Sequence, residues 1–177
     1  QMCIRDSTHP PTDNGYKKEK DDVVVEPSTN ISAPLGTVFS VLFGDDTAYL
    51  KRIIEKQKNF DLSELPKFVG TSRDYSYMNP LGAAIGPKQT KCYITETIEE
   101  KDFNSHIIVR QVSKCPDVPF GNNFAVHTKI YLSWGTNNST NMFVVTNISW
   151  SSKTLLKGTI EKGSIDGQKD STKIMVE

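Results

Sequence analysis

Phe124-Ala125-Val126-His127-Thr128-Lys129-Ile130-Tyr131-Leu132-Ser133-Trp134 is the stretch that decides the fold. Phe124, Val126, Ile130, Leu132 and Trp134 alternate with Ala125, His127, Lys129, Tyr131 and Ser133. Successive side chains of a strand point to opposite faces, so this pattern predicts a strand with one face on a core and the other toward water, as in an antiparallel sheet. Working outward, the same period predicts strands near Arg73 to Met78, Lys91 to Glu99, Ser105 to Ser113 and Met142 to Trp150. Glu100-Lys101-Asp102, Pro116 to Asn123 and Gly135-Thr136-Asn137-Asn138-Ser139 separate them with turn residues, which gives hairpins rather than crossovers.

Toward the N-terminus, the β-branched run Val23-Val24-Val25-Glu26 opens a first strand that continues to Ile31. Ser32 then caps a helix with Pro34 in its first turn; Leu35, Val38, Phe39 and Leu42 form its apolar face and Gly44 stops it. Asp45 and Asp46 favour a second helix over Thr47 to Gln57, with Tyr49, Leu50, Ile53 and Ile54 on one side. Leu155 to Glu177 reads as a helix whose stripe Leu156, Ile160, Gly163, Ser164, Gly167, Ser171 and Ile174 is small in the middle, a groove for something bulky. The competing reading, a turn at Asp166-Gly167, is set aside because the flanks do not alternate. The layout is α+β, a curved antiparallel sheet able to wrap around a long terminal helix.

The 177 residues amount to one domain, and 21 Lys and Arg against 21 Asp and Glu leave no surplus to draw nucleic acid. No apolar run reaches the ~18 residues of a membrane span, which predicts a soluble domain. Cys3, Cys92 and Cys115 have no paired spacing, which argues against a disulfide framework and for cytosolic exposure; the sequons at Asn30, Asn137, Asn138 and Asn147 would matter only in a secretory lumen. Residues 1–22 carry Pro10-Pro11, Asn14-Gly15 and the charge run Lys17 to Asp22 without apolar periodicity, and read as a disordered lead. Gln1 to Ser7 read as a cloning or assembly remnant. The domain proper is residues 23–177.

Asn79-Pro80-Leu81-Gly82-Ala83-Ala84-Ile85-Gly86-Pro87-Lys88 is an apolar loop between two strands, with no acidic residue. Loops are ordinarily polar, so this one needs an apolar place to go. It is no phosphate loop, because Pro87 between Gly86 and Lys88 removes a backbone N–H that such a cradle uses. Catalytic sets are scarce: Ser105 and His106 are strand neighbours pointing to opposite faces, His127 falls on a polar face, and Cys92, Cys115 and His127 lack the close ligand pairs of a zinc site. No enzyme, cofactor or metal is expected.

Asn79-Pro80-Leu81, Ile85 to Lys91, Asp117-Val118-Pro119-Phe120-Gly121 and Ser151 to Gly163 resemble a VASt domain, most of all the second StART-like sterol-binding domain of the fungal Lam/Ysp proteins. The resemblance implies a helix-grip fold with a mobile lid, Pro80, Leu81, Gly82, Ala83, Ala84, Ile85, Gly86, Pro87 and Lys88, over a cavity for one sterol such as ergosterol or cholesterol. Its lining would be Phe39, Tyr75, Tyr77, Ile94, Phe124, Val126, Ile160, Gly163, Ser164 and Gly167, so that a charge at Gly167 should block uptake. Partners would be sterol, membrane surfaces and anionic lipids, the isolated domain being a monomer. The implied setting is the cytosolic side of an endoplasmic reticulum protein at contacts with the plasma membrane. The alternative is a membrane- or protein-recruitment domain with no internal ligand.

Overall fold

The computed structural model describes residues 8–82 and 87–176. Six strands, β1 (Val23–Ile31), β2 (Ser72–Pro80), β3 (Gln89–Lys101), β4 (His106–Lys114), β5 (Phe124–Trp134) and β6 (Thr140–Trp150), form one sheet in the order β1-β6-β5-β4-β3-β2, and every pair is antiparallel. Between β1 and β2 stand α1 (Leu35–Phe43) and α2 (Ala48–Lys56); α3 (Lys157–Val176) ends the chain. This is the α+β layout that the alternation predicts, in the helix-grip arrangement that the resemblance implies.

β5 lies centrally, so both of its edges are paired and its apolar residues set the core. Ile130 and Leu132 are fully buried against Ile107, Val109, Val144 and Met142 of the flanking strands and against Leu35, Val38, Phe39 and Leu42 of α1. Pro34, in extended conformation, precedes the first turn of α1 and no side chain caps it, so the cap expected of Ser32 is not made. Gly44 ends α1 as expected, its N–H donating to the Ser40 carbonyl. The register of β3 on β4 slips between Ile98 and Glu100, a bulge that bends the sheet around the helices.

The outer face of β5 is not open to water. Residues 8–22, set aside in the sequence as a lead, run across it. The Tyr16 ring stands edge-on to Tyr131 at 5.3 Å and to Phe143 at 4.9 Å, over Ile108 and Val145. His9 stacks on Trp134 at 4.3 Å, and the Thr12 N–H donates to the Trp134 carbonyl. Glu19 accepts from Arg110 and Lys129, both at 3.1 Å, and Asn147 donates to Asp22. Two rings, Tyr16 and His9, and a few ion pairs and hydrogen bonds hold this strap, a pattern with no sequence period to reveal it. Tyr16→Ala is expected to destabilise the domain by about 1–3 kcal/mol in urea unfolding and to make residues 8–22 the first site of tryptic cleavage. The Lys129 hydrogen bond holds the Glu19 carboxyl below its ordinary 4.5. A lowered folded value contributes stability above 4.5 that is lost as pH falls through it, so tryptic release of the strap should speed up in acid relative to cleavage elsewhere in the chain.

Candidate functional site

Between the sheet and the C-terminal half of α3 lies an internal cavity of about 70 Å³. α2 supplies Leu50, Ile53 and Ile54, and Gln57 just after it; the strands supply Tyr75, Tyr77, Ile94, Gln111, Ser113, Thr128 and Ile130; α3 supplies Gln168, Ser171, Thr172 and Met175. The wall is thus apolar on α2 and polar on β4 and α3. Thr128, the one polar residue among the inward-facing positions of β5, marks where the core gives way to the cavity. Its hydroxyl donates to the Gln168 amide oxygen at 3.0 Å, and Gln57 donates to the Ser171 carbonyl at 2.8 Å, tying α3 to the sheet and to α2.

A second, larger space of about 380 Å³ opens on the other side of Ile53 and Met175, which line both. It is a groove walled by Val38, Val41 and Leu42 of α1, by Tyr49, Arg52 and Lys56 of α2, and by Ile174 and Val176 of α3. Ile53 and Met175 thus stand between a small, partly enclosed chamber and an open groove.

Of the residues expected around a cavity, Tyr75, Tyr77 and Ile94 line it. Phe39 does not; it packs in the main core against Phe43 and Phe103, at 5.8 and 5.5 Å. Phe124 packs on Trp150 at 5.0 Å, and Val126 is buried on the same face of β5 outside the lining. Ile160 and Ser164 are half-buried, and Gly163 and Gly167 are exposed, with open space where a Cβ would stand. The face that α3 turns to the cavity is Gln168, Ser171, Thr172 and Met175, which keeps Ser171 of the predicted stripe and leaves its glycines out. Gln111, Thr128 and Gln168 give no signal in the sequence, because polar residues at inward positions look like breaks in a pattern; in the structure they line the cavity. The candidate lid is the connection of the β2–β3 hairpin: Pro80 pairs with Gln89, and the Leu81 N–H donates to the Lys88 carbonyl at 2.8 Å. Gly82 and Pro87 flank it; Ala83, Ala84, Ile85 and Gly86 lie outside the described residues.

Close to the cavity wall, Arg73 and Glu96 form a fully buried ion pair at 2.7 Å. Gln111 donates to the other Glu96 oxygen, which links the pair to the cavity lining. Burial pushes the Glu96 carboxyl above its ordinary range, and Arg73 and Gln111 pull it part of the way back.

Contrary to expectation, Ser105 and His106 do meet. Ser105 lies in the turn before β4, so its hydroxyl reaches His106 Nδ1 at 3.0 Å while His106 Nε2 reaches Glu100 at 2.5 Å. The trio stands at a surface turn, lines none of the cavities described and has the strap's Gly15 close against the imidazole. His127 is half-buried beside Arg110 and Ser149, its imidazole held below the ordinary value by burial. Among the described residues, no three His, Cys, Asp or Glu side chains converge to hold a metal.

Residues 23–167 match the VASt family, the VAD1 analog of StAR-related lipid transfer domain. The chain belongs to the VASt family. This VASt domain is 32% identical over 165 residues to an uncharacterized membrane protein, C20F10.07, of Schizosaccharomyces pombe, and 28% identical over 148 residues to the membrane-anchored lipid-binding protein LAM5 of Saccharomyces cerevisiae. Those matches take in 92% and 79% of the chain but only 21% and 22% of the two relatives, so the chain spans about a fifth of each. Among solved structures, TTHA0849 of Thermus thermophilus superposes with a TM-score of 0.54 at 16% identity, covering 88% of this chain and 94% of that one. Human STARD10 superposes at 0.50 and 10% identity, covering 91% and 71%. At these identities the likeness is one of fold. Among the described residues, no helix is long and apolar enough to cross a membrane.

Proposed function

We propose that this VASt domain binds a sterol between the sheet and α3 and transfers it between membranes, those of the endoplasmic reticulum and the plasma membrane, without chemical change. The observation that carries the reading is the chamber, enclosed between apolar α2 and the hydroxyls and amides of β4, β5 and α3. A sterol is a rigid apolar plate with one hydroxyl, and this wall offers apolar surface for the plate and Gln111, Gln168 or Tyr75 for the hydroxyl. Burying several hundred Å² at roughly 25 cal/mol per Å² gives on the order of 10 kcal/mol before association costs.

Small-molecule sites span about 300–1,000 Å³, so the chamber alone is too small for a sterol. The neighbouring groove supplies the missing volume. Methionine is unbranched with several rotatable bonds, so a swing of Met175, with a smaller shift of Ile53, joins chamber and groove into one space of the required size. The β2–β3 loop, with Leu81 and Ile85 apolar and Lys88 exposed at its base, would dip into a membrane interface and meet anionic headgroups while the ligand crosses.

Liposome exchange tests this. The protein should accelerate transfer of a fluorescent sterol from donor to acceptor vesicles; transfer at the spontaneous rate would overturn the proposal. The small volume favours one alternative, a recruitment domain that docks on a membrane or a protein through the apolar loop and holds no ligand inside.

A further inference from the structure

Two of the three cysteines, far apart in sequence, are brought together by the hairpin of β3 and β4. Tyr93 pairs with Lys114, so Cys92 and Cys115 stand opposite one another one step beyond the last pair. Their Sγ atoms are 2.9 Å apart and both are free thiols. Opposed residues of antiparallel strands have Cα atoms about 4.5–5.5 Å apart, inside the roughly 4.4–6.8 Å that a disulfide spans. Closing to a bond of about 2.05 Å asks the sulfurs to move by under about 1 Å.

The surroundings make the two thiols unequal. Cys92 is 5% exposed, packed with Tyr75 and Ile94 of the cavity wall. Cys115 is half-buried at the surface end, where the following loop winds back so tightly that Gly121 lies against its carbonyl, leaving no room there for a Cβ. Hydrogen bonds with Cys92 and Ser113 hold the Cys115 thiol below its ordinary value against the opposing effect of burial, whereas the bond to Cys115 and burial push Cys92 up. Cys115 is therefore the sulfur that a peroxide reaches from the surface, and the buried Cys92 is placed to resolve it.

We propose that Cys92 and Cys115 are a hydroperoxide-oxidisable pair that closes a disulfide inside the folded domain, stapling β3 to the loop after β4 beside the cavity wall. The Cys115 thiolate attacks one peroxide oxygen; the O–O bond breaks, the departing hydroxide takes a proton to become water, and Cys115 becomes a sulfenic acid. The Cys92 sulfur, losing its proton, then attacks the Cys115 sulfur. The S–S bond forms, the S–O bond breaks and the hydroxide leaves as water. Each sulfur gives up one electron, and the peroxide is reduced by two.

The consequence for transport rests on the carrier reading above. Cys92 pairs across β2 with Tyr77, which lines the chamber and lies three positions before the hairpin loop. A covalent staple at this point resists the widening that admission of a sterol requires, so the oxidised domain exchanges sterol several-fold more slowly than the reduced one.

The experiment uses Cys3→Ser protein, leaving only the two thiols in question, exposed to hydrogen peroxide under native conditions. Expected are loss of both alkylatable thiols, a mass lower by two hydrogens, a monomer on non-reducing electrophoresis and full reversal by dithiothreitol. In the Cys92→Ser variant, dimedone should trap a sulfenic acid on Cys115, while Cys115→Ser protein should resist labelling. Retention of both thiols, covalent dimers alone, or dimedone labelling of Cys92 at the rate of Cys115 would overturn the proposal. Sterol transfer is then compared before and after oxidation. Equal rates with the disulfide formed would overturn the regulatory part. A disulfide that forms in a protein transferring no sterol even when reduced would count against the carrier reading and for the thiol site.

Discussion

Arg73→Met is expected to destabilise the domain by about 3–5 kcal/mol at neutral pH, because it leaves Glu96 charged and buried without its cation. The Arg73 guanidinium donates to Glu96 at 2.7 Å and to the Leu42 carbonyl at the end of α1 at 3.2 Å, and lies over the Phe68 ring at 4.4 Å. One side chain thus joins the sheet, α1 and the crossing segment before β2. The loss should depend on pH in a defined direction. Removing the cation leaves burial with less opposition, so the folded Glu96 carboxyl rises further above its ordinary 4.5. A raised folded value contributes stability that is complete below the unfolded value and lost as pH rises through the folded one. The deficit of Arg73→Met should therefore shrink at about pH 5 and widen at about pH 8. Adding Glu96→Leu, which removes the orphaned charge, should recover most of it. Urea unfolding at the two pH values decides: a pH-independent deficit, or a double variant no better than the single one, would contradict this description of the pair.

The second large effect separates the two faces of α3. Ser171→Phe places a ring in a chamber of about 70 Å³ from the half-buried edge of the helix and should weaken sterol binding at least about 100-fold with the fold intact by circular dichroism. Gly167→Lys should leave binding unchanged, since Gly167 is exposed with nothing within 4 Å of where its Cβ would stand. Replacing that glycine should even add up to about 1 kcal/mol of helix stability. The stripe read from sequence holds both Gly167 and Ser171 and leads to lost binding in both variants, so Gly167→Lys chooses between the two placements. Binding lost in Gly167→Lys would return the groove to the glycines.

What could and could not be read from the chain follows from the physics of each element. The strands were legible because half-buried β-structure writes itself as alternation, and the alternating stretch Phe124–Trp134 coincides with β5. The helices after β1 were legible through apolar spacing and the stop at Gly44, although the start at Pro34 uses no side chain at all. The facing of α3 was legible only in part, because glycines suggest close approach, yet Gly163 and Gly167 lie toward water and the cavity is lined by Gln168, Ser171, Thr172 and Met175. The strap was hidden because it holds through Tyr16, His9 and a few ion pairs, none of which repeats. The cysteine pair was hidden because meeting requires the register of a hairpin that itself contains a bulge. In each case local pattern revealed local structure, and what it missed depended on contacts between residues distant in sequence.

The central claim is that the interior between the sheet and α3 takes up one lipid. Native mass spectrometry of the protein incubated with a sterol, beside the Ser171→Phe variant under the same conditions, tests it most directly. The expected result is a one-to-one non-covalent adduct on the parent domain that is absent from the variant; no adduct on the parent, or an adduct of equal abundance on both, would contradict it.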